Sequence, residues 1–109
     1  MLNPLEALIG RQLARFQQGI EQAVAELAEA VVEGQAAEGR VLARVSGLGE
    51  LLELRLADEL MAESSADDLA RLITQAVNEA LAQARELKRT KIAEYTPIGA
   101  MGIEMPDIV

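Results

Sequence analysis

The feature that most constrains this chain is a change of hydrophobic period, made twice. Ile9, Leu13, Phe16, Ile20, Ala23, Leu27 and Ala30 follow one another in steps of four and three. That spacing lines one face of a helix along its whole length and suits packing against a second helix. Past Ala30 the period becomes two. Val41, Ala43 and Val45 alternate with Arg40, Leu42 and Arg44, and Leu52, Leu54 and Leu56 alternate with Glu53 and Arg55. Alternation places the two sets on opposite faces of a strand. The helical period then returns through Leu69, Leu72, Ile73, Ala76, Val77, Ala80, Leu81, Ala84 and Leu87. Helix, strands and helix in that order give an α+β fold.

Local signals set the boundaries. Asn3 is a good N-cap, Pro4 suits the first helical position and Glu6 occupies the capping-box site, so a helix is expected over residues 3–30. Gly19 lowers helix propensity and permits a close backbone approach. Val31-Val32-Glu33-Gly34 reads as a short strand and Gly34 to Gly39 as a turn. Gly47-Leu48-Gly49-Glu50 is a hairpin turn. The segment 31–57 is thus a two- or three-stranded antiparallel meander with one buried face. Ser65, with Asp68 three residues on, starts a helix over 65–95, and Pro97 stops it. One domain is expected over residues 1–95. Residues 96–109 read as a mobile apolar tail bearing Met101 and Met105, a soft surface for a partner.

With 109 residues and only Phe16 and Tyr95 as aromatics, the core is small and aliphatic. The chain has no Cys and no His, which removes disulfides, thiolate and imidazole metal ligands, cysteine nucleophiles and imidazole bases. Ser46, Ser64 and Ser65 have no histidine to activate them. Asp67-Asp68 caps a helix, and Asp58-Glu59, also adjacent in sequence, does not face itself across a site. Gly47-x-Gly49 lies between strands, where no phosphate loop sits. The expectation is a protein that is not an enzyme and takes no cofactor or metal. No signal pattern or apolar run of spanning length is visible, which leads to the expectation of a cytoplasmic protein.

Charge is distributed unevenly. The formal net charge is −8, yet Arg85-Glu86-Leu87-Lys88-Arg89-Thr90-Lys91 holds four of the ten Lys and Arg residues. Residues 16–84 carry four cations against thirteen acids, whereas residues 1–15 carry Arg11 and Arg15 against Glu6. An acidic protein repels nucleic acid, but a local basic region can still hold a phosphate backbone. Cations near a helix end also suit the helix dipole, and on sequence alone that reading stays open.

The order of elements, with Val32-Glu33-Gly34, Gly39, Val41, Val45, Gly47, Leu54-Arg55-Leu56, Asp58, Leu60-Met61, Asp67-Asp68-Leu69 and Ala76-Val77-Asn78-Glu79-Ala80, resembles the YbaB/EbfC family of small bacterial nucleoid-associated proteins. The resemblance implies a helix, a three-stranded sheet and a long helix in each protomer, and a tweezer-like homodimer with projecting helical arms. It also implies nucleoid localisation and double-stranded DNA binding with little sequence preference, in nucleoid organisation and gene regulation. The first helix departs from the family pattern, since it carries Glu21, Glu26 and Glu29 where members are rich in Lys, Gln and Met.

If the long helices lie antiparallel from a common sheet end, Arg11 and Arg85 each stand twenty residues from it, about 30 Å at 1.5 Å per residue. Arg11, Arg15, Arg85, Lys88, Arg89 and Lys91 would then share one arm tip, with the last four in one sector of their helix. They are the candidate DNA-binding residues; Ile9, Leu13, Phe16, Ile20 and Leu27 are the candidate helix-packing and dimer residues. Four to six phosphate contacts would give a slope of log affinity against log salt near −4 to −5. The competing reading is an acidic dimeric module that uses its negative surface or its tail to bind a basic protein. A membrane partner is not expected.

Overall fold

The computed structural model describes residues 3–95. Helix α1 runs from Pro4 to Glu29, strands β1, β2 and β3 are Val31–Ala36, Val41–Ser46 and Leu51–Leu56, a short helix α2 is Asp58–Glu63, and α3 is Ala66–Tyr95. The strands form an antiparallel meander in the order β1-β2-β3. This is the α+β fold, with three strands.

Both helix starts are made as the sequence implies. Asn3 accepts a hydrogen bond from the Glu6 backbone N–H at 2.8 Å, and Ser65 Oγ accepts from Asp68 N–H at 3.1 Å. Each satisfies a donor that the first helical turn leaves without an intrahelical partner. The hairpin turn at Gly47 to Glu50 is pinned by the buried Ser46 hydroxyl, which accepts from the N–H groups of Leu48 and Glu50 at 3.3 and 3.2 Å. Gly49 takes the left-handed conformation there, with φ of +89°.

Packing is governed by α3 lying across β1 and β2. Val41, Ala43 and Val45 point at it and are fully buried, as are Ala76 and Ala80 opposite them. The alanines repeat at four-residue steps, so α3 presents a row of methyl groups and comes very close to the sheet. Gly34 completes the fit, because a Cβ there would run into the backbone of Ala76 and Ala80. This explains a departure from the expected boundaries. Gly34 opens no turn; it lies inside β1, which continues to Ala36. The turn is confined to Ala37-Glu38-Gly39, all three in the left-handed region at φ of 53°, 58° and 87°.

The expected buried face of β3 is corrected in part. Leu56 pairs with Val41 and Leu54 with Ala43, so these leucines share the core face, yet Leu52 and Leu54 stay exposed. The body of α3 covers β1 and β2 and stops short of this edge strand. On the opposite face, register aligns Glu33, Arg44 and Glu53 across the sheet, with Arg44 held at 3.5 and 3.3 Å from the two carboxylates. Arg55 also bonds Glu53, and this bond is the main cause holding the Glu53 carboxyl below its ordinary range.

Candidate nucleic-acid interface

The arm is made by α1 and α3 running antiparallel away from the sheet. At its base Leu27 is buried against Gly47, and the Gly47 N–H donates to Ala30 O at 3.0 Å, fixing the exit of α1. Farther out, Glu26 is the polar tie. The Tyr95 hydroxyl donates to Glu26 Oε1 at 2.8 Å, and Lys91 Nζ lies 3.8 Å from Oε2. This hydrogen bond, first, and then burial and the nearby negative charges push the Tyr95 phenol upward. The end of α3 rests on Gly19, where any Cβ would strike the Tyr95 backbone. Gly19 does permit the close approach expected of it.

These contacts set the level of every cation on the arm. With Gly19 beside Tyr95, Arg15 and Arg11 lie about 6 and 12 Å farther out, past the last residue of α3. Lys91, Lys88 and Arg85 lie about 6, 10 and 15 Å back toward the sheet. The six residues are thus strung over about 27 Å of one arm and are not gathered at its tip as expected. The physical reason is that α3 spends its first turns crossing β1 and β2. Counting residues from Ser65 therefore overstates how far Arg85 has travelled from the sheet.

The residues also differ in orientation and partners. Lys91 faces α1 and sits between Glu26 and Glu94, 3.6 Å from the latter, while Arg89 bonds Glu86 at 2.6 and 2.9 Å. Lys91 is therefore turned away from the outward sector of Arg85. The four sheet-end cations are all engaged: Arg40 with Glu63, Arg44 with Glu33 and Glu53, Arg55 with Glu53, and Arg71 with Asp68. Among the described residues, Arg11, Arg15, Arg85 and Lys88 are exposed and make no ion pair. The unpaired positive charge of the described chain lies wholly on the arm.

The packing candidates divide at the same level. Leu27 is buried and Phe16 and Ile20 are half-buried, but Ile9 and Leu13 are 59% and 57% exposed because α3 ends before reaching them. Among the described residues, no group of three or more metal-ligating side chains is placed to hold an ion, and no helix is long and apolar enough to cross a membrane. The tail assigned to residues 96–109 lies outside the described residues.

The sequence profile of the YbaB/EbfC DNA-binding family matches residues 5–101. This chain belongs to that family. Among its relatives, a nucleoid-associated protein of Cutibacterium acnes is 37% identical over 94 residues, covering 84% of this chain and 88% of its own. One from Saccharopolyspora erythraea is 38% identical over 94 residues, covering 86% and 79%. An uncharacterized Helicobacter pylori protein of solved structure superposes with a TM-score of 0.68 at 18% identity, over 83% of this chain and 92% of that one; this likeness concerns the fold. The arm of this YbaB/EbfC family chain thus carries a line of cations, four of which make no ion pair among the described residues.

Proposed function

We propose that this chain is a nucleoid-associated protein that binds double-stranded DNA through its phosphates, with little sequence preference, and contributes to nucleoid organisation and gene regulation. The observation that carries the reading is the partition of cations: carboxylates engage those of the sheet end, and Arg11, Arg15, Arg85 and Lys88 on the arm have none among the described residues. An unpaired cation can release a phosphate's counterion without first giving up a carboxylate, which makes these four the main contacts. Arg89 and Lys91 contribute by exchanging partners. A line of about 27 Å matches about eight base pairs of duplex at 3.4 Å each. The arm offers no cluster of side chains suited to base edges, so phosphate contacts set position without reading sequence.

The binding species is a homodimer. Its support is the exposed apolar strip of Leu52 and Leu54 on an edge strand that α3 leaves uncovered, an arrangement that invites pairing with a second chain. Anisotropy titrations of labelled duplex across a salt series test the reading. The expected slope of log affinity against log salt is about −3.5 if one arm engages and about −7 if both do. Replacing Arg11, Arg15, Arg85 and Lys88 together by Ala should abolish most of the binding while sedimentation still reports a dimer. An affinity indifferent to salt would refute the mechanism, and retention of a basic protein in place of DNA would favour the acidic-module reading.

A further inference from the structure

The overhang of α1 beyond Tyr95 is two-sided. Leu5, Ile9 and Leu13 recur at four-residue steps and are 64%, 59% and 57% exposed, because α3 ends before it reaches them. At about 100° of rotation per residue, Leu5 and Leu13 lie about 40° to either side of Ile9 and make one stripe with it. Arg15 and Arg11 lie about 120° and 160° around the helix from that stripe. The same stretch thus turns aliphatic side chains one way and, on the other side, two cations that make no ion pair among the described residues. Phosphate held by Arg11 and Arg15 leaves the stripe in water, and a row of large aliphatic side chains in water marks a docking surface.

Three features select a second copy of this chain as the occupant. The stripe is self-complementary: a two-fold axis through Ile9 sets Ile9 on Ile9 and Leu5 on Leu13, the isologous arrangement in which one patch serves both partners. There is also room for antiparallel pairing. With Ile9 on the axis, Pro4 of one copy is level with Ala14 of the other, about 8 Å short of Gly19, where the end of α3 meets α1. Charge sets the direction. Residues 16–84 carry four cations against thirteen acids, so parallel arms would lay two acidic sheet ends side by side, whereas antiparallel arms hold them at opposite extremes. Three half-exposed side chains fall well short of the about 800 Å² that each partner buries in a stable interface. The contact is therefore weak alone and forms between copies that DNA holds close together.

We infer that the outer parts of α1 from two copies pair antiparallel through Leu5, Ile9 and Leu13, joining the arm of one homodimer to the arm of another. Each α1 keeps Arg11 and Arg15 on the side away from the seam, so two copies joined in this way hold two duplexes on opposite sides and bridge them. The bridging rests on the DNA reading above; the pairing itself does not.

The chain has no cysteine, so single thiols report the contact in the full-length protein. Under mild oxidation in concentrated solution, Ile9→Cys should cross-link to itself, and Leu5→Cys should cross-link with Leu13→Cys in preference to itself. Ala14→Cys, about 140° around α1 from the stripe, should do neither. Sedimentation should then show oxidised Ile9→Cys at no less than twice the mass of the reduced protein. Absence of the Ile9 cross-link, or Leu5→Cys joining itself as readily as Leu13→Cys, would overturn the antiparallel seam. A cross-link without a gain in mass would put the contact inside one dimer and overturn the joining of dimers. For bridging, bead-bound duplex should capture a second, labelled duplex when the protein is added. Ile9→Glu should lose that capture while its affinity for a single duplex is unchanged. Equal capture by Ile9→Glu would overturn bridging through the stripe. Failure of both proteins to bind a single duplex would refute the DNA reading and bridging with it, while cross-linking still decides the pairing.

Discussion

The sheet end and the outer arm are built from similar residues with opposite results. At the sheet end, small side chains on α3 and a glycine in β1 bring two backbones together, and Val41, Ala43 and Val45 disappear from solvent. On the outer arm, larger side chains at the same helical spacing lie open because the neighbouring helix has ended. Periodicity specifies which face of a helix is apolar. Burial depends on whether a second element is long enough to reach that face.

The contrast can be broken most forcefully with glycine. Gly34→Ala pushes a methyl into the backbone of α3 and should lower stability by about 3 kcal/mol in urea unfolding. Val45→Ala, which empties space at a fully buried site, should lose about 2 kcal/mol by the same measurement. Gly10→Ala, on the outer arm with nothing within 4 Å of the new methyl, should raise stability by up to about 1 kcal/mol. One type of substitution thus changes sign between the two regions. A destabilised Gly10→Ala would show that α1 is covered at that position.

The smallest expected effect is alkaline. The Tyr95 phenol is pushed above its ordinary value, mainly by its hydrogen bond to Glu26, so it binds its proton more tightly folded than unfolded. Its contribution is therefore complete below the unfolded value of about 10 and lost as pH climbs through the higher folded one. Stability of Tyr95→Phe, followed by circular dichroism, should fall less steeply than that of the parent above about pH 10. Equal slopes would show that the contact with Glu26 does not govern the arm.

Much of this fold is legible in the sequence, and particular residues show where legibility ends. Asn3 and Ser65 mark the helix starts because a cap is a local event, settled within four residues. The alternation around Val41 fixes the face of β2 for a similar reason. Gly34 was harder, since a glycine in a strand looks like a turn until the alanine row of α3 is recognised as its partner. Helix α2 has only six residues, too few to establish a period. The heights of the cations on the arm are not legible for a long-range reason. Their spacing in sequence is visible, but their height on the arm depends on where α3 crosses the sheet, which no local pattern records. The pairing of Lys91 with Glu26, sixty-five positions apart, is of the same kind.

The meeting of Gly19 with the end of α3 has a mechanical consequence. It makes a fulcrum, and the part of α1 beyond it is an overhanging lever. A pull exerted at Arg11 acts about 12 Å from that pivot, and it is resisted at the other end by Leu27 seated on Gly47. A load on the overhang is thus borne at two glycines, Gly19 beside Tyr95 and Gly47 in the turn that joins β2 to β3.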